Sequence, residues 1–149
     1  IMWCGSLSHN GLTGLGGSKD FAPHQLGHAL SEKFDVFHGD SLTAVWSSWA
    51  RYVLDTNVSR FARFARNVWG VTLTDDREAA LEGIAKQESF FRSIDMPVRL
   101  YELSCGKQDE DGLAELASRC SYGKTRTVGT FRTLGYEDML AIYHKANEE

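Results

Sequence analysis

Apolar residues recur with a helical period along most of the chain, and that spacing predicts its elements. Leu42, Val45, Trp46, Trp49 and Val53 stand at i, i+3, i+4, i+7 and i+11, one stripe along a helix with Asp40 or Ser41 as its cap. Phe61, Phe64, Ala65, Val68 and Trp69 repeat the pattern, and Gly70 is placed to end that helix in a left-handed conformation. Asp75 followed by Glu78 reads as a capping-box-like start. Leu81, Ile84, Ala85, Phe91 and Ile94 then form a stripe with Glu88 as its polar interruption, closed by Pro97 acting on Met96. Leu113, Leu116, Ala117 and Cys120 mark a further helix. A last one carries Glu137 and Asp138 in its first turn, where they favour the dipole, and then Met139, Leu140 and Tyr143. Residues 98–103 and 126–132 are the two short stretches suited to extended structure. The expectation is an all-α helical bundle, with residues 1–149 as a single helical domain and the tryptophan and phenylalanine stripes in its core.

Composition narrows the function classes. At 149 residues and 42% hydrophobic, the chain fits one soluble domain. A net charge of −4 provides no basic field, so nucleic acid and membrane surfaces are not expected as partners. No apolar run approaches the roughly 18 residues of a membrane span. Cys4, Cys105 and Cys120 lack CxxC spacing and leave one over, which suits small core residues in a reducing, cytoplasmic setting rather than a disulfide framework. The opening Ile1-Met2-Trp3-Cys4-Gly5 has no basic region ahead of an apolar one, so it is not a signal peptide. It is bulky and uncapped, and residues 1–12 read as the interior of a helix that began earlier, in a longer protein. The glycine-rich stretch 11–18 lacks the lysine and hydroxyl order of a phosphate loop, and reads as a turn between helices.

Three of the five histidines fall within fifteen residues, at His24, His28 and His38. His24 and His28 are i and i+4, so on a helix opening near Pro23 their imidazoles share a face. That helix should end near Phe34, and Gly39 permits a bend that returns His38 toward the pair. A zinc protease would need a glutamate after the first histidine, and Gln25 cannot accept a proton. Two readings stay open: a metal site, or a cluster of hydrogen-bonded structural histidines. Asp20, four residues before His24, is either a third, carboxylate ligand or the cap of the helix.

The segment Ala22-Pro23-His24-Gln25-Leu26-Gly27-His28-Ala29-Leu30-Ser31, followed by Phe34-Asp35-Val36-Phe37-His38-Gly39, resembles the metal-site segment of the iron-containing (group III) alcohol dehydrogenases, in their butanol-dehydrogenase-like branch. The likeness extends to Leu7-Ser8-His9-Asn10-Gly11-Leu12, to residues 61–71, to Phe91-Arg92-Ser93-Ile94-Asp95-Met96-Pro97, to Gly129-Thr130-Phe131 and to the closing Glu137-Asp138 and Ile142-Tyr143. Phe21 stands where many relatives have tryptophan, and Gln25 where methionine is common.

This resemblance implies the C-terminal helical domain of the dehydroquinate synthase-like, iron alcohol dehydrogenase fold. His24 and His38 would be metal ligands to Fe2+, with Zn2+ as the other candidate. His28 would be the catalytic and cofactor-facing residue, beside the nicotinamide and substrate pocket. The other two ligands, an aspartate and a histidine, and the nucleotide-binding domain that holds NAD or NADP would lie upstream of residue 1. Asp20 matches no family ligand. The function implied is hydride transfer between a small alcohol or aldehyde and the nicotinamide, in a homo-oligomer, with this chain alone inactive. Other readings are a glycerol-dehydrogenase-like or dehydroquinate-synthase-like relative, and a non-catalytic helical interaction module.

Overall fold

The computed structural model describes residues 2–11, 14 and 17–148. Among them stand α1 (Met2–His9), α2 (Ala22–Phe34), α3 (His38–Val53), α4 (Val58–Trp69), α5 (Asp76–Ser93), α6 (Glu110–Cys120) and α7 (Tyr136–Asn147). The fold is all-α, as the periodicity predicts, and the described residues contain no strand. Residues 98–103 form no strand: Arg99 and Leu103 are extended, but Leu100–Glu102 between them form a 3₁₀ turn. Residues 126–132 contribute only Val128, which pairs with Leu134 in an isolated antiparallel bridge. Of the helix expected over residues 1–12, α1 is present with every side chain exposed except a half-buried Leu7, while Ile1 and Leu12 lie outside the described residues.

Local chemistry sets most helix ends. Asn57 accepts the Arg60 N–H at 3.1 Å, and Asp75 accepts that of Glu78 at 2.9 Å. Gly70 closes α4 with φ of 64°, a conformation that favours glycine. The α5 end differs from expectation. The helix stops at Ser93, before Pro97 can act, because Asp95 turns left-handed and the Met96 N–H donates back to the Phe91 carbonyl at 2.9 Å.

Helix α2 packs on α3 and α6, α3 also meets α5 and α7, and α4 lies along α5. Leu26, Leu30, Val45, Leu113, Leu116, Met139, Ile142 and Tyr143 form the centre of the core. The Tyr143 hydroxyl, fully buried, donates to the Leu26 carbonyl at 2.8 Å, so α7 holds the middle of α2. On α5 the buried face is Ala79, Ala80, Gly83 and Ile84, whereas Leu81 and Ile94 are exposed. Small residues win there because α4 comes very close: a Cβ on Gly83 would lie 2.4 Å from the Ala65 methyl. Trp46, Trp49 and Phe64 are half-buried rather than core. With Phe61 and Phe131 they line a cleft of ≈570 Å³. Among the cysteines only Cys120 is buried; Cys105 is half-buried and Cys4 sits on exposed α1. No helix among the described residues is long and apolar enough to cross a membrane.

Glu88 interrupts the apolar stripe because it is an ion-pair hub. Its carboxylate accepts from Arg51 of α3 at 2.6 Å and from Arg99 at 2.7 Å. Burial alone would raise its pKa, but the hydrogen bonds from Arg99 and Ser47 and the Arg51 charge outweigh burial and hold it below the usual 4.5. The unfolded chain therefore takes up this proton first. The contribution to stability is present above pH 4.5 and is lost as the pH falls through the lower, folded value. Denaturant titrations from pH 6 down to about 3 should show Glu88→Gln with a shallower acid loss than the parent; parallel curves would contradict this role.

Candidate metal centre

The site is built where α2 crosses the start of α3. Pro23 occupies the first turn of α2, where its missing N–H costs nothing. His24 and His28 follow one turn apart. Between them in sequence, Gly27 is buried against α3: a Cβ there would lie 2.9 Å from Ser41 Oγ and 3.4 Å from the Leu42 amide nitrogen. Only a residue without a side chain allows the two backbones to meet this closely.

Two expectations about α3 are corrected. The helix begins at His38, with Phe37 preceding it, so Asp40 and Ser41 lie inside it and neither is its cap. Ser41 is buried and otherwise engaged: its hydroxyl donates to the His38 carbonyl at 2.9 Å and accepts from Ser31 at 3.1 Å. The bend back comes from Asp35 in a left-handed conformation, φ 53°, not from Gly39.

These two features bring His38 onto the face that carries His24 and His28. Nδ1 of His24 and Nε2 of His38 are 3.1 Å apart. The His28 and His38 ring centroids are separated by 4.7 Å, closer than the 5.2 Å between His24 and His38. One donor atom from each of the three lies within 4.8 Å of the others. His24 is half-buried, and His28 and His38 are exposed. Burial first, then the neighbouring imidazoles, lowers the pKa of His24 and of His38, so both rings stay neutral at pH 7 with a lone pair to offer.

The donor set fits a borderline divalent ion. Adjacent nitrogens about 2.0–2.1 Å from a tetrahedral ion stand about 3.3–3.4 Å apart, so the His24–His38 pair would have to open only slightly. Neutral imidazoles suit iron or zinc, and exposure on one side leaves room for further donors.

Asp20 does not join this cluster. Its carboxylate accepts the N–H groups of Ala22, Thr130 and Phe131 at 2.7, 2.9 and 2.7 Å, which removes it as a third ligand. Neither is it the helix cap in the strict sense, since Phe21 holds that position. Sequence reasoning also missed Arg126, which donates to Gln25 Oε1 at 2.6 Å, and His9, whose ring lies 6.2 Å from that of His24. Neither has a local signal: Arg126 is 101 residues from Gln25.

Residues 9–147 match the Fe-containing alcohol dehydrogenase family, C-terminal. The chain belongs to this family. It is 34% identical over 148 residues to NADH-dependent butanol dehydrogenase A of Clostridium acetobutylicum, covering 98% of this chain and 37% of that protein. It is 31% identical over 100 residues to the NADPH-dependent aldehyde reductase YqhD of Escherichia coli, covering 67% of this chain and 26% of that protein. The choice of nicotinamide cofactor thus differs between these two relatives. Among solved structures, the NADH-dependent butanol dehydrogenase A of Thermotoga maritima superposes with a TM-score of 0.88 at 25% identity, over 98% of this chain and 38% of that one. The chain spans little more than a third of the length of these butanol dehydrogenases.

Gly27→Ala tests the crossing. The added methyl must push Ser41 and the α3 start outward, moving His38 from His24. Zinc affinity, read by competition with a chromophoric chelator, should fall about 10–100-fold, the usual worth of a residue that orients metal ligands. Unchanged affinity in a folded variant would show that the crossing does not set the site.

Proposed function

We propose that this chain supplies the metal-binding part of a metal-dependent, NAD(P)-linked alcohol dehydrogenase that interconverts small alcohols and aldehydes. The observation that carries this reading is the 3.1 Å approach of His24 Nδ1 and His38 Nε2, with His28 on the same face. Family membership supports it, as do the names of the relatives, which are butanol dehydrogenases and an aldehyde reductase.

In this reading His24 and His38 hold Fe2+, with Zn2+ suited to the same donors, and groups from outside these 149 residues complete the coordination. When bound, the ion supplies Lewis acidity toward an alcohol or carbonyl oxygen, and the nicotinamide supplies the hydride chemistry. His28 is exposed beside the two ligands, one helical turn beyond His24. It would face the nicotinamide and substrate, and its ring nitrogens would carry a proton between the reacting hydroxyl and solvent. NAD or NADP is held mainly by a nucleotide-binding domain outside this chain. Assembly as a homo-oligomer and a cytoplasmic location belong to the same reading, and the three free cysteines agree with a reducing compartment.

Geometry alone does not separate ligand from relay, because His28 is as near His38 as His24 is. Substitution in the full-length enzyme does. His24→Ala and His38→Ala should lose metal and activity together. His28→Ala should keep nearly all its metal, lower turnover by about 10²–10⁴-fold and shift the pH optimum. A metal-free His28 variant beside a metal-loaded His38 variant would reverse the roles.

A further inference from the structure

The first turn of α2 carries His24 but has no side-chain cap of its own. Phe21 stands at the N-cap position, and its side chain offers no acceptor. The amides of a first helical turn lack partners within the helix, and such turns fray unless something outside holds them. Here the holder is Asp20. Oδ1 accepts the Ala22 N–H at 2.7 Å, while Oδ2 accepts the N–H groups of Thr130 and Phe131 at 2.9 and 2.7 Å. A carboxylate taking three amide donors makes strong, charge-assisted bonds.

The loop that supplies two of those donors is shaped for the purpose. Gly129 has φ of 92°, and a Cβ on it would lie 2.3 Å from the Arg132 carbonyl oxygen, so no other residue fits that turn. Thr130 adds a bond from its hydroxyl to the Lys19 carbonyl at 3.0 Å. The Phe131 ring meets buried Phe61 edge-on at 5.7 Å, which anchors the loop in the body of the domain.

We propose that Asp20 is a positioning residue of the metal centre: its carboxylate locks loop 129–131 to the first turn of α2 and so fixes His24 against His38. His28, one turn deeper, is held instead by the Gly27–Ser41 contact. The two histidines therefore depend on different supports, and that separates positioning from general stability. The inference rests on the reading of His24 and His38 as ligands.

The test compares Asp20→Ala and Gly129→Ala with Asp109→Ala, which removes the cap that accepts the Gly112 N–H of α6 at 2.8 Å. All three should lower Tm to a similar degree. In metal-free protein, Asp20→Ala and Gly129→Ala should move the ring ¹⁵N signals of His24 and leave those of His28 in place. Both should weaken zinc binding by about 10–100-fold. Asp109→Ala should change neither, and Asp20→Asn, which keeps an acceptor for Ala22, should recover part of the affinity. The proposal is overturned if His24 and His28 signals move together in Asp20→Ala, or if its zinc affinity equals that of Asp109→Ala. Parent protein that binds no zinc would overturn the ligand reading instead, and the His24 ring signals would still decide the role of Asp20.

Discussion

The site depends on one close contact, the passage of α3 over Gly27 of α2. With no Cβ at Gly27, Ser41 can sit directly against the α2 backbone, and its hydroxyl is satisfied by Ser31 and the His38 carbonyl. A buried hydroxyl without partners would cost on the order of 1–3 kcal/mol, so these two bonds let the crossing be both tight and polar. The crossing sets how far His38 stands from His28, while His24 sits one turn earlier, in the first turn of α2. All three histidines lie on helices, and the first turn of α2 is tied to loop 129–131 through Asp20.

The C-terminal third of the chain holds the same helix from the other side. Asp20, Gln25 and the Leu26 carbonyl take hydrogen bonds from the 130–131 amides, from Arg126 and from the buried Tyr143 hydroxyl. His24, whose pKa is lowered, is thus seated on a helix whose first turn and middle are both fixed, and it faces His38 at the start of α3. Such support is what a metal site needs, since ligand orientation tunes affinity as much as ligand identity does. Glu88, bound by Arg51 and Arg99, braces α3 along its other flank.

Features with local causes were readable from residue types. The i, i+4 histidines, the left-handed Gly70, the Asp75 start and the apolar face of α6 each depend on neighbours within a few positions. The start of α3 was misread because Asp40 and Ser41 are good caps by type, while Phe37 is a poor one. What overrides type there is tertiary: Ser41 is committed to the crossing. The α5 stripe misled for a related reason, since the close approach of α4 selects Ala79, Ala80 and Gly83 over Leu81 and Ile94. Asp20 was read as ligand or cap because nothing near it in sequence reveals Thr130 and Phe131, more than a hundred residues away.

The proposed function requires that the α2–α3 crossing make His24 and His38 adjacent donors to one ion. X-ray absorption at the zinc edge, on protein loaded with one equivalent, reads the donors directly. At least two imidazole nitrogens are expected about 2.0–2.1 Å from the metal, reduced by one in either His24→Ala or His38→Ala. A shell of oxygen donors with no imidazole scattering, unaffected by either substitution, would contradict it.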